Sequence, residues 1–302
     1  MKFFPFNRVA LPAILLSLAV LIFACQKEGS NTPTESPVTE DEAATYSTES
    51  MEAEGSFDDI QDIAMTAGED EGIASAGRMD GTAHRLFPFV HVRARIGNCA
   101  VITVTPDDST YPKTVTIDFG TDGCRGLDGK LRKGKMVLQF SGPIRKSGSV
   151  LTITLVDFQL NRASVEGTKT ITNLSEGGNI KFTVRVVNGK VSWPNGRGYL
   201  FERVKNVKQI EGGNTDEIED DVYSIEGHSQ TTFNNGVVTS LNTVDALIKK
   251  TSCDWITDGT LKIKVNNREL FLDYGYPNNG DCDNQALLTW HNNTKQAIIL
   301  LP

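Results

Sequence analysis

The chain is 302 residues long and 39% hydrophobic, with 38 acidic and 30 basic side chains and a formal net charge of −8. That length holds one or two domains, and the lack of an extended basic stripe argues against a nucleic-acid partner. The charge is segregated: residues 26–75 carry fourteen acidic side chains against Lys27 alone, while 76–302 carry +3 once the +2 of residues 1–25 is set aside.

In chain order, Lys2 and Arg8 form a short basic start before an apolar stretch, Val9 to Ala24, broken only by Pro12 and Ser17. A membrane-spanning helix needs roughly 20 apolar residues, and Pro12 weakens one this short. A charged start, a short apolar centre and a small residue before a cut describe a secretory signal instead. The end of the run, Ile22-Phe23-Ala24-Cys25, resembles the lipobox of bacterial lipoproteins, with Phe23 bulkier than that pattern usually carries. The resemblance implies a signal peptide over 1–24 and a diacylglycerol and an acyl group on Cys25. Two or more lipid chains make such anchoring stable. Gln26-Lys27-Glu28 is similar to the charged tag behind the cysteine of surface-exported lipoproteins of the Bacteroidota, which implies exposure at the cell surface.

Residues 25–84 are rich in Glu, Asp, Ser, Thr and Ala. That composition reads as a disordered acidic tether that holds the domain away from the membrane. One short helix is expected within it, over 57–67: Ser56 supplies a capping oxygen, Phe57, Ile60 and Ala64 share a face, and Gly68 can end it.

Five cysteines is an odd number for an exported chain. Lipid on Cys25 leaves Cys99, Cys124, Cys253 and Cys282, for which three pairings exist. An echo chooses among them: Cys99 is followed by a β-branched run, "IDFG" (117–120) and Cys124, and Cys253 by a similar run, "LDYG" (272–275) and Cys282. Two copies of one hairpin unit, bridged Cys99–Cys124 and Cys253–Cys282, are expected. No two cysteines have the close spacing of a structural zinc site.

From residue 85 to 302 the apolar residues recur with period two, as in Met136, Leu138, Phe140 and in Ile180, Phe182, Val184, Val186. A phase shift at Val156-Asp157 reads as a bulge. Between the runs stand Asn188-Gly189, Asn195-Gly196, Asn235-Gly236, Asp258-Gly259 and Asn266-Asn267, residues suited to tight hairpin turns. Only Val244 to Lys250 hints at a helical period. The expected fold is all-β: an antiparallel meander of about a dozen strands, as a curved sheet, sandwich or open barrel. A recurring Glu-Gly, at 166–167, 211–212 and 226–227, marks further bulges or bends. The segments 111–135, 165–172 and 281–290 resemble a family of uncharacterised lipoproteins from the Bacteroidota, over most of 97–302. That resemblance implies an envelope location and a β-rich domain, and no catalytic residue.

No motif supplies a catalytic set. "DFG" (118–120) lacks the glycine-rich and catalytic loops of a kinase. His84, His91, His228 and His291 stand apart from any nucleophile elbow or HExxH pair. "DEIEDD" (216–221) reads as a solvated loop, with a calcium site as its sharper alternative, and "GKLRKGK" (129–135) as a hairpin open to anionic polymers. Trp193, Trp255, Trp290, Tyr199 and Phe201 are core aromatics or a sugar-stacking platform. The chain is thus expected to be a non-enzymatic lipoprotein of the outer membrane, anchored by its N-terminal lipid. Its β domain would bind or scaffold an envelope polysaccharide or protein, without cofactor or metal. A hydrolase of envelope glycans and a structural assembly protein are the alternatives.

Overall fold

The computed structural model describes residues 38–75, 89–178, 180–213, 220–278 and 280–301. Among the described residues two helices come first, α1 (Glu40–Ser75) and α2 (Val90–Ile96). Strands follow as β1 (Val101–Thr105), β2 (Lys113–Asp118), β3 (Cys124–Arg125), β4 (Leu131–Phe140), β5 (Val150–Leu160), β6 (Ala163–Asn173) and β7 (Lys181–Ser192). The remainder are β8 (Gly198–Glu211), β9 (Val222–Phe233), β10 (Val238–Lys250), β11 (Ile256–Val265), β12 (Arg268–Asp273), β13 (Gln285–Trp290) and β14 (Lys295–Leu300). They form one antiparallel sheet in which neighbours along the chain are neighbours in space, with β3 alone branching off onto β4. β1 and β14 are its two edges. The fold is all-β as expected, a single open sheet.

Its inner face is covered by α1. Partners of this one helix come from β4 (Arg132), β6 (Lys169), β8 (Phe201, Arg203), β9 (Phe233) and β14 (Lys295), and β12 (Arg268) holds Val38 just ahead of it. A sheet that touches one helix from strands this far apart is curved around it. The stretch expected to be a solvated tether is therefore, over 38–70, part of the core. Ala43, Ala53, Phe57, Ile60, Ile63, Ala64 and Ala67 are buried in one cluster with the strands.

The expected helix over 57–67 is the middle of a longer one. Its start is a capping box at residues 39–42, where the Thr39 N–H donates to Glu42 Oε2 (2.8 Å) and the Glu42 N–H to Thr39 Oγ1 (3.3 Å). Ser56 lies inside the helix and donates to the Glu52 carbonyl, and Gly68 continues it. A Cβ at Gly68 would come within 2.7 Å of the Phe140 ring, so this glycine lets helix and sheet close on one another.

Disulfides join Cys99 to Cys124 and Cys253 to Cys282, each with Cα atoms 5.5 Å apart. The first brackets the β1–β2 hairpin and the second β11–β12, so the two echoing segments are the same unit at distant places in the sheet. In the chain-entropy account each bridge contributes about 3 kcal/mol. Asp118 and Asp273 accept the N–H two residues ahead, from Gly120 and Gly275, which turns the chain after each strand. Of the two glycines, only Gly120 takes a positive φ (73°).

Bulges appear where the phase shifts. Pairing slips at Val156-Asp157 opposite Gly134, and again at Gly167. Asn195-Gly196, Asn235-Gly236 and Asn266-Asn267 are hairpin turns, but Asn188-Gly189 and Asp258-Gly259 lie within β7 and β11. Asn188 (φ 52°) and Gly259 (φ 102°) serve bulges there, which need the same left-handed backbone as a turn. Val244 to Lys250 is strand, the end of β10.

At Gly189 a Cβ would stand 2.4 Å from the Phe201 carbonyl oxygen and 3.0 Å from the Phe57 ring. Gly189→Ala should therefore destabilise the protein by about 1–3 kcal/mol through overpacking. Urea unfolding is the measurement, and an unchanged midpoint would contradict this close approach.

Candidate functional site

Charge is the main currency between helix and sheet. α1 carries twelve acidic side chains and no basic one. Arg132, fully buried, grips Asp59 with Nε (3.1 Å) and Nη2 (2.7 Å) and also pairs with Asp128 (2.5 Å). Arg203, equally buried, places Nη1 2.8 Å from Glu54 and 2.7 Å from Asp58. Lys205 joins Glu54 at 2.8 Å. Lys169 donates to the Phe57 carbonyl at 2.6 Å.

Burial works to raise the carboxyl pKa of Glu54, Asp58 and Asp59, but the neighbouring cations override it and hold all three low. Lys169 is pushed well below the ordinary lysine value by burial and by the Arg203 charge. The acidic segment and the weakly basic domain of the sequence are thus two halves of one interior.

The expected binding features largely dissolve into this packing. Arg132 of the basic run is buried, and Lys130 pairs with Asp59, so the run clamps the helix. Phe201 stacks on Phe57 (4.9 Å), and Tyr199 sits edge-on to Trp193 (5.4 Å) and Phe233 (5.7 Å). Arg197 lies 3.9 Å over the Trp193 ring. Trp255 and Trp290 are half-buried elsewhere, so the five aromatics form no common platform.

Of the acidic run, residues 216–219 lie outside the described residues, and Asp221 accepts from Gln209 Nε2 (2.6 Å) and the Tyr223 hydroxyl (3.0 Å). No group of three or more His, Cys, Asp or Glu placed to hold a metal ion occurs among the described residues. Cys25 and His84 lie outside the described residues. His91 contacts Asp70 (2.6 Å), whose other oxygen accepts the Val92 N–H, and His228 is an exposed strand residue.

A cleft of about 400 Å³ lies between the first turn of α1 and the tips of the β11–β12 and β13–β14 hairpins. Glu40, Asn267, Arg268, Trp290, His291 and Asn292 line it. His291 Nδ1 lies 2.6 Å from Glu40 Oε1. That hydrogen bond is the chief reason the Glu40 carboxyl titrates below its ordinary range. Lys295 stands 3.6 Å from Glu40 and 3.2 Å from Asp41. Arg268 donates through Nε to the Val38 carbonyl (3.0 Å), which fixes the plane of its guanidinium.

The turn that carries His291 is unusual. His291, Asn292 and Asn293 all have positive φ (53°, 54° and 65°), a conformation that costs energy outside glycine. Among the described residues no Ser, Thr or Cys lines the cleft, so the carboxylate–imidazole pair has no described side-chain nucleophile beside it. The arrangement can hold and orient a polar molecule. Sequence reasoning missed Glu40 and Arg268. The signal for Glu40 was the Thr39–Glu42 capping box, which places that carboxylate in a helix's first turn. Compared with family models, curated proteins and solved structures, the chain matches none.

Proposed function

We propose that this protein is a lipid-anchored lipoprotein of the outer membrane, displayed at the cell surface, whose β domain binds a ligand without transforming it. The observation that carries the reading is the occupancy of the sheet's inner face. An open curved sheet offers its concavity to a large ligand, but here α1 fills it with matched charges, and a cleft at the helix start is open for recognition. The anchor rests on the resemblance of Ile22 to Cys25 to a lipobox.

Two measurements test this. Metabolic labelling with palmitate should mark the wild type and not Cys25→Ser; equal labelling of both defeats the anchor. Incubation of the purified protein with envelope polysaccharides should leave them intact, and product formation would favour the hydrolase.

A second reading, assembly through strand edges, draws on β1 and β14. Val101, Ile298 and Leu300 are exposed on these edge strands, and unpaired edges invite pairing between chains. Light scattering that shows only monomer would remove it.

A further inference from the structure

We propose that the cleft between α1 and the two hairpin tips binds a neutral saccharide, one or two pyranose rings in size. The inference rests on the reading of the domain as a binding module. The volume of about 400 Å³ falls within the range of roughly 300–1,000 Å³ typical of small-molecule sites.

The charges about the cleft nearly cancel: Glu40 and Glu269 stand against Arg268 and, beside Glu40, Lys295, and Glu269 and Lys295 already have partners of their own. An uncharged ligand leaves these pairs in place. The lining alternates planar acceptors and donors: a carboxylate at Glu40, a guanidinium at Arg268 and amides at Asn267 and Asn292. Adjacent sugar hydroxyls, each both donor and acceptor, satisfy such planar groups two at a time. The indole of Trp290 supplies an apolar surface for the C–H face of a ring.

One further observation points to a ligand. The three consecutive left-handed residues of the β13–β14 turn hold His291 against Glu40 and present Asn292 to the cleft. Thr289 and Thr294 brace that turn through Asn293 Oδ1 and the His291 carbonyl. Strain that the surroundings maintain in this way belongs with recognition sites.

The test uses the full chain in detergent with 15N-labelled tryptophan, whose three indole signals are assigned with Trp290→Phe. Glucose, galactose, mannose, N-acetylglucosamine and their β-linked disaccharides are titrated in turn, with glucuronate as the anionic counterpart. At least one neutral sugar should shift the Trp290 signal saturably while those of Trp193 and Trp255 stay still. Arg268→Gln and Glu40→Gln should each weaken that binding about tenfold with the other two indole signals unchanged.

No saturable shift with any neutral sugar overturns the proposal, as does a response to glucuronate alone or equal binding by both variants. Cleavage of a disaccharide during the titration would instead leave the ligand class standing and defeat the non-enzymatic reading.

Discussion

Arg203→Ala should lower the melting temperature by on the order of 10 °C. Arg203 is fully buried, and its Nη1 is the closest cation to Asp58 and stands level with Lys205 at Glu54. Removal of one partner from a buried ionic cluster costs about 3–5 kcal/mol, because the remaining charge has lost its compensation. For a domain of this size each kcal/mol shifts the midpoint by about 2–4 °C. Lys205 softens the loss at Glu54, since it holds the same oxygen.

The cluster is not simply a stabilising device. Arg203 Nε and Nη2 have no acceptor among the described residues, so part of its desolvation is uncompensated. Replacement of the pair by apolar residues of similar volume, Arg203→Met with Glu54→Met, should therefore recover much of what Arg203→Ala loses. Calorimetry of the two variants decides the matter. A double variant less stable than Arg203→Ala would mean that the ion pair, rather than the unpaired charge, carries the energy.

The second large effect is on pH. Glu54, Asp58 and Asp59 have folded-state pKa values held below their unfolded ones by Arg203, Lys205 and Arg132. Such groups contribute stability that is present above about pH 4–5 and is lost as pH falls through their folded values. Lys169 works in the same direction from the other side of neutrality. Its folded pKa lies well below 10.5, so the unfolded chain binds the extra proton and stability climbs as pH rises between the two values. Burial raises the hydroxyl pKa of Tyr199, Tyr223 and Tyr274, so above about pH 10 the unfolded chain sheds protons first and stability falls again.

Melting temperature should thus increase from pH 4 through pH 7 to a maximum near pH 9, then decline. Lys249, also held below its ordinary value by burial, adds to the alkaline rise, so Lys169→Met should reduce that rise and leave the acid limb in place. A profile that peaks near pH 5, or an alkaline rise undiminished in Lys169→Met, would refute the assignment.

Much of the sheet was legible because half-buried strands write their burial directly into period two. Met136, Leu138 and Phe140 are buried as the alternation requires, and the slip at Val156-Asp157 is a bulge. The cysteine pairs were legible because the two bracketed hairpins share a spacing. The dipeptides Asn188-Gly189 and Asp258-Gly259 misled because a bulge and a hairpin turn demand the same backbone, and only the partner strand tells them apart.

Helix α1 was hidden for a different reason. Its buried face carries Ser47, Ser50, Glu54 and Asp59 among alanines, so an apolar stripe is missing over most of its length. What makes that face a core face is the row of cations on strands far along the chain, which no local window contains. The cleft shared this obscurity, since Glu40 and His291 meet only when α1 docks.

The pairing of helix acids with sheet cations also sets how this chain can change over generations. Glu54 and Arg203 stand 149 positions apart, and Asp59 and Arg132 73 apart, yet loss of either member strands the other in the interior. Substitutions there should be tolerated in couples, so that among descendants of this sequence the acidic segment and the sheet would drift as one inherited unit while the exposed strand positions vary freely.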